Sequence, residues 1–358
     1  MKLDRSIVLG WLVHLGAVCA YKQVSEDTIR ALEKRFPPGD YLDPFDEKGY
    51  LEPILKVRVP GTENSTDVQN HISNFFKQFE HWNVTLDSFT SDTPITTNTT
   101  FTNIIATRDP PGKDQGSVGR LVLAAHYDSK IEPEGFIGAI DSAVPCAILM
   151  YVVKAIDEAL TKHWSNSGNA NLGIQIIFFD GEEAFKDWTD TDSIYGARHL
   201  ASRMENDHYS ATAVRKSSLD AIDTLVLLDL IGSREAPFPS YFMETDWLHQ
   251  NLRSIEKRLR AGQLSKLSSA DRKIFPNHQM FHSGIGDDHL PFLYRGVPIL
   301  HLIAFPFPEV WHKISDDADH LDADTIHDWA LIMSTFVAEY FELGGQMPTE
   351  AAVHRQYL

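Results

Sequence analysis

The chain has 358 residues, 43% of them hydrophobic and 11% aromatic, which is enough apolar side chain to bury a large core and too much for a disordered segment. With 50 acidic against 32 basic residues it carries a formal net charge of −18, a balance that repels nucleic acid and anionic membrane and excludes both as partners. Only two cysteines are present, so the chain is not a disulfide scaffold.

At the N-terminus Lys2 and Arg5 precede an apolar stretch from Ile7 to Val18, followed by the small-residue pattern Val18-Cys19-Ala20. This reads as a secretory signal peptide over residues 1–20. Its apolar part is shorter than the roughly 20 residues that a spanning helix needs. The expected mature chain, residues 21–358, is secreted to the extracellular space as a single catalytic domain and a monomer. It keeps one cysteine, Cys146, and therefore no internal disulfide. The acceptor sequons Asn64-Ser65-Thr66, Asn83-Val84-Thr85 and Asn98-Thr99-Thr100 agree with that route.

Further along, apolar runs of strand length fall at Val84–Phe89, Asn103–Thr107, Arg120–His126, Gly173–Phe179, Thr224–Asp229 and Pro298–Ala304. Between them Val68–His81, Cys146–Leu160, Ser193–Met204, Trp247–Ala261 and His327–Leu343 carry apolar residues at three- and four-residue intervals and predict helices. The stretches Ile95–Thr102, Pro110–Ser117, His163–Asn171 and Ser210–Ser218 are polar and read as surface loops. Alternation of this kind predicts an α/β three-layer sandwich, a central and mostly parallel twisted sheet with helices on both faces. No Pro/Gly/Ser-rich linker divides it.

In such sheets ligands sit beyond the carboxyl ends of the strands, and the charged residues of this chain gather there. "LVLAAHYDS" ends in His126 and Asp128, "IIFFDGEE" in Asp180, Glu182 and Glu183, and "LVLLDLIG" holds Asp229. Asp141 stands just before a predicted helix, where exposed N–H groups favour a carboxylate. "IGDDHLPF" adds Asp287, Asp288 and His289, and "FPEVWHK" adds Trp311 and His312. Singly each is weak, because an Asp before a helix is usually a cap and a lone buried His is usually structural. Converging on one rim, they would be very costly without a cation. Carboxylate and imidazole ligands suit zinc in a catalytic site with an open position. Adjacent side chains on an extended segment point to opposite sides, so one of Glu182 and Glu183 is free to bind metal while the other acts as general base.

Eight blocks in register resemble the glutaminyl-peptide cyclotransferases, which share a fold with the zinc-dependent aminopeptidases. They are "RVPGT" at 58–62, "AHYDSK" at 125–130, "DSAVPC" at 141–146, "IIFFDGEEAF" at 176–185, "DSIYGARHLA" at 192–201, "LLDLIG" at 227–232, "DDHLPFLYRGVPILHLI" at 287–303 and "FPEVWH" at 307–312. The resemblance implies one zinc ion per chain held by Asp141, Glu183 and His312, with Glu182 as the proton shuttle. It implies catalytic support from Asp229 and Asp287, and a substrate pocket of Trp188, Ile285, Phe307 and Trp311. The implied substrates are peptides or proteins with N-terminal glutamine, or glutamate, and the product is pyroglutamate with release of ammonia. Where many relatives carry a cysteine before "HYDS" this chain has Ala125, so the disulfide to Cys146 is missing. Asn64 stands where relatives often have a glycine, and no Golgi-type anchor is expected.

Two other readings compete. His126 and Asp229 match the positions that hold a second zinc in dizinc aminopeptidases, with Asp141 bridging, so ligand counting alone leaves peptide-bond hydrolysis open. A catalytically silent module of the same fold would have lost ligands, and here every proposed ligand and the proposed base are present.

Overall fold

The computed structural model describes residues 22–166, 170–234, 236–267, 273–276, 281 and 284–349. The expected signal peptide, Cys19 included, lies outside the described residues.

Six strands form one sheet: β1 (Asn83–Ser91), β2 (Thr99–Arg108), β3 (Gly119–His126), β4 (Leu172–Phe179), β5 (Ile222–Leu228) and β6 (Ile299–Leu302). Their order is β1-β2-β4-β3-β5-β6. The ladders β4–β3, β3–β5 and β5–β6 are parallel, whereas β2 runs antiparallel to both of its neighbours. Five strands therefore point one way and β2 alone opposes them. Around the sheet lie α1 (Glu26–Arg35), α2 (Gly39–Leu42), α3 (Glu63–Phe76), α4 (Val144–Asn166), α5 (Tyr195–Asn206), α6 (Asp246–Ala261), α7 (Leu290–Leu293) and α8 (Ala323–Tyr340).

Period-2 alternation distributes the strands' apolar residues to two cores. Leu121, Leu123, Ala125, Ile174, Ile176, Phe178, Val226 and Leu228 face the larger one, with α4, α8 and α6 above them. Val122, Ala124, Ile177, Phe179, Leu225 and Leu227 face the smaller one, with α5 and α7. Every residue of β3 is buried, as a strand covered on both faces requires. The segment Ala139–Asn166 is long and apolar enough to cross a membrane, but 94% of its most apolar window is inside the protein, so its composition is that of a central core helix.

All six predicted strands and all five predicted helices are present, with ends shifted by a few residues. Two loop expectations fail in part. Thr99, Thr100, Phe101 and Thr102 belong to β2, because the hairpin register pairs Ser91 with Thr99 and Ser88 with Thr102; threonine is a good strand former that polarity alone conceals. The expected loop His163–Asn171 begins late, since α4 continues to Asn166.

Ala125 is buried beneath α4, and the Cys146 thiol donates to the His126 carbonyl at 3.1 Å.

Candidate active site

At the carboxyl rim of the sheet the chain leaves β4 at Asp180, turns at Gly181 (φ 71°), and presents Glu182 and Glu183 in succession. Asp128, just past the end of β3, accepts both of their backbone N–H groups, at 3.0 and 3.2 Å. Because the segment is a clasped turn and not a strand, the two glutamates do not diverge to opposite faces. Both line the same cavity.

Asp141 is delivered by the turn before α4, which begins at Gly138 with φ 62°. A Cβ at Gly138 would lie 2.1 Å from the Asp141 carbonyl oxygen, so this approach needs a glycine. His312 comes from the segment after β6 and has a left-handed backbone (φ 54°), a strained state for a residue with a side chain, held by hydrogen bonds of the turns around it. The three ligand atoms of Asp141, Glu183 and His312 lie within 4.8 Å of one another. His312 Nε2 is 3.5 Å from Asp141 Oδ2 and 3.5 Å from Glu183 Oε1. Zinc bonds of ~2.0–2.1 Å at tetrahedral angles put ligand atoms about 3.3 Å apart, so the triangle is of the right size.

The oxygens themselves make the stronger argument. Asp141 Oδ2 and Glu183 Oε1 are buried and have no hydrogen-bond partner. Leaving one buried polar group unsatisfied costs roughly 1–3 kcal/mol, and more for a charged one. Two such oxygens aimed at one imidazole nitrogen are what a cation site requires.

A second group, His126, Asp141 and Asp229, is differently built. His126 Nε2 is 3.1 Å from Asp141 Oδ1 and 3.6 Å from Asp229 Oδ1, and its Nδ1 is 3.3 Å from Asp128 Oδ1. The Ser142 hydroxyl donates to Asp229 Oδ1. Burial opposes charge on His126, but its bonds to Asp128, Asp141 and Asp229 prevail and hold its pKa well above the ordinary value. Asp229 is held below the usual carboxylate value, because His126 and Ser142 outweigh its burial. Burial, opposed by His126 and reinforced by Glu183 and Asp287, pushes Glu182 well up. Burial and the charge of Glu183 raise Asp141 to about 6.

Nine of the ten site residues implied by the resemblance line one cavity of about 310 Å3: Asp141, Glu182, Glu183, Trp188, Asp229, Ile285, Phe307, Trp311 and His312. Trp311 stacks on His312 with ring centres 3.9 Å apart, and Phe307 packs on Trp311 at 4.6 Å. Trp188 is 46% exposed, a partly open wall. Asp287 is not in the wall. It is buried behind it, accepting from His301 Nε2 at 2.6 Å and from the Asp288 N–H.

Three residues escaped the sequence reading. Lys130 pairs with the second oxygen of Glu183 at 3.2 Å, and its place in "AHYDSK" was the available signal. Asp316, four residues after His312, accepts the Ile140 N–H at 2.7 Å and so ties the loop bearing Asp141 to the turn bearing His312. Arg58, fully buried, donates to the carbonyls of Tyr127, Ile137 and Gly138. Partners that are backbone carbonyls leave no trace in a sequence.

The profile of peptidase family M28 matches residues 103–337 of this chain. The glutaminyl-peptide cyclotransferase of Bos taurus is 43% identical over 300 residues, covering 82% of this chain and 81% of that protein. The crystal structure of Macrostomum lignano glutaminyl cyclase aligns with a TM-score of 0.77 at 36% identity, covering 90% of this chain and 95% of that one. A Zn-dependent exopeptidase from Parabacteroides distasonis shares the fold alone, with a TM-score of 0.59 at 19% identity over 90% of this chain and 99% of its own. The chain belongs to the glutaminyl-peptide cyclotransferases, within family M28.

Proposed function

We propose that this protein is a zinc-dependent glutaminyl-peptide cyclotransferase, which converts the N-terminal glutamine of peptides and proteins to pyroglutamate and releases ammonia. Family membership supports the reaction, and the two orphaned oxygens of Asp141 and Glu183 facing His312 Nε2 support the metal. A zinc ion held by these three residues would polarise the γ-carbonyl of the substrate and leave a coordination position open for it.

The protein's own groups do the rest. Glu182 takes a proton from the α-amine as the amine nitrogen attacks the side-chain carbonyl carbon, and returns it to the departing nitrogen, which leaves as ammonia. Its burial makes it a stronger base than an exposed carboxylate once ionised. Asp229, in the cavity wall, is placed to orient the amine, and Asp287, buried behind the wall on His301, extends the acidic hydrogen-bond network beside Glu182. Trp188, Ile285, Phe307 and Trp311 give the glutamine side chain an apolar slot and exclude the water that would compete as nucleophile. At about 310 Å3 the slot is at the small end of ligand sites, roughly 300–1,000 Å3. It fits one side chain and a terminal amine.

One metal ion, not two, is favoured by the state of the second group. His126 bonds carboxylates through both ring nitrogens and Ser142 serves Asp229, so that trio is already satisfied, unlike Asp141 Oδ2 and Glu183 Oε1. This supports cyclisation over dizinc peptide hydrolysis. We also infer passage through the secretory pathway, which the exposure of Asn64, Asn83 and Asn98 supports.

The test is to incubate the purified protein with a Gln-initiated peptide and follow it by mass spectrometry. Loss of ammonia, stopped by a chelator and restored by zinc, is the expected result. Release of the first residue would favour the aminopeptidase, and an unchanged peptide would refute both.

A further inference from the structure

The three acceptor sequons look alike in the sequence and differ in the structure. Asn64 lies in the first turn of α3 with its side-chain amide donated to the Val57 carbonyl at 2.9 Å. Asn98 stands in the β1–β2 turn with a left-handed backbone (φ 53°), its N–H held by Asp92 Oδ1 at 2.9 Å. Asn83 opens β1, the outermost strand, at the mouth of a polar cavity of about 280 Å3 that also includes Thr85, Thr107, Asp109, Arg120 and Gln175.

We propose that Asn83 carries an N-linked glycan whose first N-acetylhexosamine is seated in this cavity. The inference rests on the secretory reading given above and is independent of the cyclase chemistry. Strand register carries it. Asn83 pairs with Thr107, and Thr107 with Gln175, so three polar side chains run in a row across β1, β2 and β4 on one face of the sheet. Gln175 donates to the Thr107 hydroxyl at 2.8 Å, while its own amide oxygen has no partner although the residue is only 7% exposed. The row starts at the attachment atom and ends on an unsatisfied acceptor, within a cavity the size of one pyranose and its acetamide.

The charges in the wall point to a neutral occupant. Asp109 is engaged through both oxygens by Arg120, at 2.9 and 2.6 Å, and the remaining Arg120 nitrogen donates to the Tyr209 hydroxyl at 3.2 Å. Arg203, also in the wall, is held by Asp87 at 2.9 Å, and Asp207 accepts from the Ser218 hydroxyl, so the lining offers mixed donors and acceptors that suit hydroxyls and an acetamide. A sugar here also shields the start of β1, an open sheet edge of the kind that invites pairing with other chains.

The transfer itself balances without redox. Asn83 Nδ2 bonds to the anomeric carbon of a lipid-diphosphate-linked oligosaccharide, the carbon–phosphate-oxygen bond breaks, lipid diphosphate leaves, and the amide proton passes to a base of the transferase.

The full chain is expressed in a glycosylating secretory host and the exported protein is mapped by peptide mass spectrometry. Asn83 is expected to be occupied. Amidase release of its glycan from native protein is expected to be at least tenfold slower than from denatured protein, and Gln175→Ala to raise the rate in native protein most of the way to the denatured rate. Trimming to a single sugar should leave Tm unchanged, while complete removal lowers it. An exported protein bearing sugar at Asn64 or Asn98 but not at Asn83, or equal release rates before and after denaturation, overturns the seated glycan and leaves the secretory reading intact. Failure of export overturns both.

Discussion

The two rims of the sheet both bury charge, and they treat it in opposite ways. At the amino rim of β3, Arg120 and Asp109 form a two-bond pair, and nearby Arg108 donates to Asp157, which also accepts the Trp82 indole N–H. At the carboxyl rim, Asp141 and Glu183 point bare oxygens at His312. Buried charge alone does not mark a functional site, since closed pairs are part of the framework. Partnerless carboxylate oxygens that converge on an imidazole nitrogen are a different matter, and they support the proposed metal site at the carboxyl rim.

Several substitutions would break or sharpen that contrast, the largest effect first. Asp141→Ala or His312→Ala is expected to lose bound zinc and about a thousandfold or more in kcat/KM together, measured by metal analysis and peptide turnover; stoichiometric zinc in either variant would contradict the ligand assignment. Glu182→Gln should keep zinc and fold and lose ~10²–10⁴-fold in kcat, because only the proton carrier goes. In the unsubstituted protein, kcat/KM should climb with pH as Glu182 ionises, through a pKa that burial has raised above the ordinary carboxylate value. Arg120→Met at the other rim reverses the pattern: removing one partner strands Asp109 and costs about 3–5 kcal/mol of stability, while zinc content and activity per folded molecule stay unchanged.

The smallest effect concerns the link between α1 and α8. His327 lies 3.1 Å from both Glu33 and Asp328. Burial opposes its charge, but those two acids prevail and raise its pKa above 6.5. A raised value means that the ion pairs stabilise fully below the unfolded pKa and fade as pH rises through the folded one. His327→Gln should therefore cost on the order of 1 kcal/mol at mildly acid pH and less in alkali, as read from denaturant midpoints.

Much of this was legible in the sequence, for identifiable reasons. β3, β4 and β5 are largely buried on both faces and so appear as mainly apolar runs, and their carboxyl ends announce the rim through His126, Asp180 and Asp229. The helix α1 was not seen, because its ten residues hold only one short apolar repeat, Ile29, Ala31 and Leu32, among charges; the Ser25 cap, the first-turn acids Glu26 and Asp27 and the last-turn bases Lys34 and Arg35 were the usable signals. The Thr99 end of β2 was hidden by polarity. Within the site Asp141, Glu183, His312, Phe307 and Trp311 could be proposed because each sits in a distinctive block, whereas Trp188 and Ile285 lie outside the eight blocks. The geometry could not: both glutamates turn to one cavity, Asp287 withdraws behind it to meet His301, and Asp316 ties two ligand loops through a backbone N–H. Such relations depend on how distant segments meet.

The central claim is a single metal ion at the carboxyl rim. It is tested most directly by anomalous diffraction at the zinc absorption edge from crystals grown with excess zinc. One peak bounded by Asp141, Glu183 and His312 is predicted; a second peak between His126 and Asp229, or none among the three ligands, would contradict it.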